Sequence, residues 1–167
     1  MILERLVQLA WFMAPAYLAN MAPPFVRYWP GWNRPINAAL FGAHKTWMGF
    51  AVAVAAAVLT AGAQAAVGWS GAIADYGHWL TLGVLFGAGA MVGDLVKSFF
   101  KRQVGIAPGR SWVPFDQCDF VLGALAFAGR RADISGWDVL LIVGVSALGH
   151  VVVNHVGYWL GVRPAKW

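Results

Sequence analysis

The sequence predicts an all-α integral membrane protein of about five transmembrane helices, N-terminus outside and C-terminus cytoplasmic. Three observations carry that reading. Of 167 residues, 60% are hydrophobic and only 11% are charged, whereas a soluble domain carries about 25% charged residues. So little charge cannot cover a water-exposed surface, which leaves lipid as the solvent for much of the chain. Uncharged runs also recur at the length a bilayer demands, about 20 residues per helix. Finally, Lys and Arg fall largely on one side when five spans are threaded.

The whole chain, 1–167, reads as a single membrane domain. The first helix is expected near 3–25, on the uncharged run 6–26. Glu4 and Arg5 precede that run, and no small-residue cleavage site leads into a soluble domain, so it reads as a retained helix rather than a signal peptide. The second, near 47–69, draws on the uncharged stretch 46–74. The third, near 78–101, is uncharged over 76–93 and continues as helix past Asp94. The fourth, near 114–131, has a core of only 120–129, so it spans only if it begins near Pro114 and ends near Arg131. The last, near 137–162, rests on 139–162. Ten Trp suit a protein with interfacial belts.

On this threading Arg27, Arg34, Lys45, Lys97, Lys101, Arg102, Arg110, Arg163 and Lys166 share one side, and only Arg5, Arg130 and Arg131 face the other. Positive residues concentrate in the cytoplasm. A four-span threading would instead separate Arg163 and Lys166 from the cations between Lys97 and Arg110. Two cytoplasmic loops result, near 26–46 and 102–114, both rich in Pro and Gly; long loops on a compact scaffold often carry function. The net charge of +5 is explained by topology and anionic headgroups. No dense basic stripe points to nucleic acid. Cys118 stands alone, which excludes an internal disulfide and a zinc set. The pairs Gly83/Gly87, Gly89/Gly93 and Gly157/Gly161 read as close helix packing.

Asp94 is the first residue with chemical interest. An acid at membrane depth is costly and faces a polar cavity or a partner. Helical spacing puts Asp94, Lys97, Ser98 and Lys101 on one face; a self-neutralising Asp–Lys pair is the plain alternative. Asp116 and Asp119, three apart, also share a helical face. Two such carboxylates repel unless a proton or cation lies between them, and a hard ion such as Mg²⁺ favours carboxylate and phosphate oxygens. Acids equally suit the positive start of a helix, and spacing alone does not choose. The basic group Lys101-Arg102, near Lys97 and Arg110, is accounted for by topology. Lys45-Thr46 lies between Gly42 and Gly49 like the end of a phosphate loop, but the Gly-x-x-x-x-Gly-Lys-Ser/Thr spacing is absent. Asn20, near the end of the first helix, is open between interhelical bonding and ligand binding. His150, Asn154 and Tyr158 recur every four residues and read as interhelical hydrogen bonding. His44, His78 and His155 have no metal-ligand spacing with one another. Together, three acids and several cations fall on one membrane face. That is what an anionic, metal-bound substrate needs: a nucleoside triphosphate with Mg²⁺, or a lipid phosphate at the headgroup plane.

The ordered set of motifs resembles the CDP-archaeol synthases, membrane cytidylyltransferases related more distantly to phosphatidate cytidylyltransferases. It runs from Pro15-Ala-Tyr-Leu-Ala-Asn20 and Pro23 through Gly42-x-x-Lys45-Thr46-x-x-Gly49 to Gly93-Asp94-x-x-x-Ser98-Phe99-x-Lys101-Arg102. It continues with Gly105, Pro108-Gly109 and Asp116-Gln117-x-Asp119-Phe120, and closes with His150-x-x-x-Asn154, Tyr158 and Trp167. The resemblance implies about five membrane helices, a site facing the cytoplasm, and a reaction of CTP with a lipid phosphate in the presence of Mg²⁺. It implies that Asp94, Asp116 and Asp119 serve metal and nucleotide, and that Lys45, Thr46, Lys101 and Arg102 face phosphate. Asn20 and Ser98, within matched motifs, are expected to bind substrate, and Lys101 to join the catalytic set. One departure is the first loop, Tyr28-Trp29-Pro30-Gly31-Trp32-Asn33, where family members often carry more polar sequence. The lipid, ether or acyl, stays open. Two other readings compete. A CDP-alcohol phosphotransferase needs an Asp-Gly-x-x-Ala-Arg…Gly-x-x-x-Asp-x-x-x-Asp pattern that is absent. A small transporter or lipid-binding scaffold could use the same acids, but short length, no repeat and one-sided loops count against it.

Overall fold

A computed structural model describes residues 2–26, 29, 31, 33–107, 110 and 112–159, apart from the side chains of 153, 154, 156 and 157. Among these residues the protein is helical throughout, with no strand beyond two isolated bridges. The first helix, α1, spans Ile2–Met21. The expected continuation to residue 25 does not occur. Pro23 and Pro24 have no N–H to give to a preceding turn, so the helix stops and Pro23–Val26 forms a separate short helix, α2.

From residue 33 on, the loop before α4 is built on defined local contacts despite its Pro content. Asn37 caps a four-residue helix α3, Ala38–Phe41, its carboxamide oxygen accepting from the Ala39 and Leu40 amides at 3.1 and 3.0 Å. The loop is then clasped to itself: Ile36 N donates to Lys45 O at 2.8 Å and Trp47 N to Arg34 O at 3.1 Å. Thr46 caps α4, Trp47–Val67, its hydroxyl accepting from Gly49 N at 3.1 Å. Gly68 ends that helix at φ 60°, a left-handed cap that glycine adopts without strain.

A single 3₁₀ turn, Tyr76–His78, leads into α5, Trp79–Gln103. The third expected helix thus runs two residues further than the sequence implied, carrying Asp94, Lys97 and Lys101 on one unbroken rod. α6, Phe115–Ala128, is shorter than the expected 114–131, because the chain tightens into a 3₁₀ turn at Gly129–Arg131. Its 14 residues rise about 21 Å. α7 covers Gly136–Trp159; the end expected at 162 lies outside the described residues, as do Arg27, Pro108, Gly109, Arg163, Lys166 and Trp167. Among the described residues two segments, Trp47–Val67 and Tyr76–Gln103, are long and apolar enough to cross a membrane.

α5 is the axis of the packing and touches α1, α4 and α6. Phe12 of α1 meets Phe86 edge-on at 4.9 Å, with Met13 fully buried beside them. Toward α4 the contact is made by backbone: a β-carbon on Gly83 or Gly87 would stand 2.6 Å from the Cα of Val58 or Val54. Small residues permit that approach, and dispersion is the force available between helices in lipid. At the end remote from Asn20, Arg5 grips Asp138 through Nε at 2.9 Å and Nη2 at 2.8 Å, with Nη2 also donating to Asp133 O at 2.8 Å. Ser135 donates to the same carboxylate from its amide and its hydroxyl. This clamp ties the start of α1 to the start of α7.

Candidate functional site

The site is built where α5, α6 and the ordered loop before α4 meet. On α5, helical spacing sets Asp94, Lys97 and Lys101 along one edge. On α6, the same spacing sets Asp116 and Asp119 along the facing edge. Their approach depends on Gly93 and Gly123, whose backbones pack against α6 and α5 with no room for a β-carbon. The clasp of Ile36 onto Lys45 delivers the third component, the Lys45 side chain.

The three acids converge on one point. Lys97 Nζ stands 3.2 Å from Asp94 Oδ1, 2.9 Å from Asp116 Oδ1 and 2.8 Å from Asp119 Oδ2. The other Asp94 oxygen takes Lys45 Nζ. Both Asp116 oxygens accept from Lys101 Nζ at 3.0 Å, and Lys101 also donates to Arg110 O at 2.6 Å. Trp112 N donates to Asp116 as well, at 2.5 Å. An unbroken chain of charge therefore runs Lys45, Asp94, Lys97, Asp116 with Asp119, and Lys101. It is largely dry: the Lys97 side chain is 14% exposed and that of Asp119 6%. Lys101 also secures the second loop, through the Arg110 carbonyl.

A cleft of about 740 Å³ opens beside this chain, with Asn20, Pro23, Pro24, Asn33, His44, Lys45, Thr46 and Asp94 in its wall. Its volume is typical of a small-molecule site. Of the residues expected from sequence, the structure brings Asn20, Lys45, Thr46 and Asp94 to the cleft. Asp116 and Asp119 join through Lys97, and Lys101 through Asp116. Ser98 is buried on α5, and Arg102 has a buried Nε without a hydrogen-bond partner among the described residues. Neither is among the described residues lining the cleft. Thr46 also serves α4 as its cap. Sequence reasoning missed the central place of Lys97. Its signal was the three-residue step from Asp94, which also fits a plain ion pair.

The donor set suits a hard divalent cation, which binds carboxylate oxygens and, for Mg²⁺, usually one or two of them with substrate phosphates and waters. Among the described residues no group of three or more acids, His or Cys is already arranged as a metal shell. The point the acids share is held by the Lys97 ammonium.

Comparison with known proteins bears on the whole chain. A family described as "CarS-like: CDP-archaeol synthase" matches residues 2–167. A CDP-archaeol synthase of Thermococcus onnurineus is 32% identical over 175 residues, covering 100% of both chains. That of Halobacterium salinarum is 36% identical, covering 94% of each. That of Saccharolobus islandicus is 34% identical, covering 92% of this chain and 91% of its own. A solved structure, described as an intramembrane enzyme for archaeal membrane lipids biosynthesis, superposes with a TM-score of 0.67 at 30% identity, over 87% of this chain and 91% of the other.

Proposed function

This chain belongs to the CDP-archaeol synthase family, and on that basis we propose that it condenses CTP with a membrane lipid phosphate to give a CDP-lipid and pyrophosphate. The observation that carries the reading is the convergence of Asp94, Asp116 and Asp119 beside a cleft walled by Lys45 and Thr46. A nucleoside triphosphate with its metal needs both halves of that arrangement.

A lipid phosphomonoester has a second pKa of about 6, so it is mostly a dianion at neutral pH. It needs no general base, and no His–Asp or Ser–His pair is called for. One lipid phosphate oxygen attacks the α-phosphorus of CTP, the new P–O bond forms, and the bond to pyrophosphate breaks. The obstacle is the meeting of two anions. Mg²⁺, held by Asp94, Asp116 and Asp119, would offset charge on the triphosphate and the leaving pyrophosphate. Lys45, at the cleft, meets phosphate oxygens, with Thr46 and Asn20 orienting the substrate. Lys101 keeps Asp116 and the second loop in place; Ser98 and Arg102, outside the described cleft wall, would reach substrate only as it extends along α5 past Asp94. Fixed donors of this kind act without reorganising during the reaction. A site at the membrane boundary also positions the lipid headgroup beside the aqueous nucleotide, which lowers the entropic cost of their encounter.

In the same reading the five long helices, α1, α4, α5, α6 and α7, cross the membrane with the N-terminus outside and the C-terminus and the site cytoplasmic. The support is the one-sided distribution of Lys and Arg. α6 is short for a span, about 21 Å against a hydrocarbon core of about 30 Å; its 3₁₀ extension and local thinning of the bilayer make up the difference.

The test is to incubate purified protein with CTP, Mg²⁺ and a panel of ether, acyl and isoprenoid phosphates and to measure pyrophosphate. Lipid-dependent release is expected, and the preferred member of the panel identifies the substrate. No release with any of them would favour a transporter or scaffold.

A further inference from the structure

Three ammonium groups match three carboxylates in this cluster. Lys45 pairs with Asp94, Lys101 with Asp116, and Lys97 with Asp94, Asp116 and Asp119 together. The cluster is therefore neutral before any substrate arrives. Three acids this close and this dry would repel one another without a cation among them, and the Lys97 ammonium supplies one from within the chain. It also competes. The ammonium sits at the point the three oxygens share, 2.8–3.2 Å from each, so a divalent ion bound there at about 2.1 Å must take its place.

Resting on the nucleotide-transfer reading above, we propose that Lys97 is a built-in counter-cation that the divalent metal displaces, and that the ammonium set free by this exchange becomes a binding group for the anionic substrate. The charge count drives the second half. Three carboxylates with a divalent ion and three lysines carry a surplus of two positive charges, where the metal-free cluster carries none. The cluster opens to the cleft through Asp94 and Lys45, which lie in its wall, and an anionic phosphate chain bound there restores neutrality. Metal and anion therefore bind with positive coupling, each raising the affinity of the other by the same factor. A lysine suits the task because its compact charge rides on a flexible stem, whereas the planar fork of arginine would hold a carboxylate too firmly.

The test uses the full-length protein in nanodiscs with Mn²⁺ alone, free Mn²⁺ being read by electron paramagnetic resonance. Lys97→Met is expected to bind Mn²⁺ about tenfold more tightly than the wild type, because a competing charge is gone. Independently of how that variant folds, saturating Mn²⁺ should raise acylation of Lys97 in the wild type severalfold, read by mass spectrometry after brief treatment with an amine-reactive ester. Equal or weaker Mn²⁺ binding by folded Lys97→Met, or acylation of Lys97 unchanged or reduced by Mn²⁺, overturns the proposal. Failure of the wild type to bind Mn²⁺ in a manner sensitive to Asp119→Asn would overturn the metal reading itself, a distinct result.

Discussion

Gly93 of α5 lies against the backbone carbonyl of Asp119 of α6, so closely that a β-carbon at 93 would overlap that oxygen. One turn earlier a β-carbon on Gly89 would stand 2.6 Å from Gly123 O. The two helices that carry the acids thus meet backbone to backbone, and the residue after Gly93 is Asp94. Gly93→Val should force the helices apart, with an overpacking cost of about 1–3 kcal/mol. It should also lower CDP-lipid formation about 100-fold, because a displacement near 1 Å has that effect on reacting groups. Gly144→Ala, where nothing lies within 4 Å of the added methyl, serves as the control and should leave the rate unchanged. Wild-type turnover by Gly93→Val would show that the close approach is dispensable.

The clamp of Arg5 on Asp138 lies some 15 residues along α1 from Asn20, about 22 Å of helical rise. It should therefore affect stability and not catalysis. Removing a hydrogen bond to a charged partner costs about 1.5–3 kcal/mol, and Arg5→Gln should lower the melting temperature accordingly while leaving KM for CTP unchanged. A raised KM with unaltered melting would reverse the assignment.

Thr46 has a structural duty beside its place in the cleft. Thr46→Ala removes the cap of α4, a loss of about 1 kcal/mol, and takes a hydroxyl from the cleft wall beside Lys45. Kinetics should show a KM for CTP raised severalfold, with Thr46→Ser restoring both stability and KM because its hydroxyl caps equally. An alanine variant indistinguishable from the serine variant would remove Thr46 from the site.

Orientation can be read with single cysteines in a Cys118→Ser background. Under the five-span threading Ser70→Cys faces outside and Ala107→Cys faces the cytoplasm, and both positions are exposed. A membrane-impermeant maleimide on intact cells should label the first and spare the second. The opposite pattern would invert the topology.

Much of the helical layout was legible because long uncharged runs have few solutions. The end of α1 was not, since an uncharged run gives no sign that Pro23-Pro24 starts a new turn. The short α3 was hidden too: four residues are too few to show periodicity, and only Asn37 marks it as a cap. Within the site, Asp94, Asp116 and Asp119 stood out because isolated acids at membrane depth are costly. Lys97 did not, because a lysine near a helix end reads as a topology signal. Its place among three carboxylates depends on how closely α5 and α6 approach, which no local pattern encodes. Lys101 was expected to face phosphate. In the fold its amine lies between Asp116 and the Arg110 carbonyl, an arrangement set by the path of the second loop.

The most direct measurement is the rate of CDP-lipid formation from CTP by Asp119→Asn in vesicles, set against the wild type at equal levels of inserted protein. The side chain keeps its size and loses its charge, and because the carboxylate acts electrostatically in this account a fall of at least about 100-fold is expected. Wild-type turnover in that variant would contradict a mechanism built on the three converging acids.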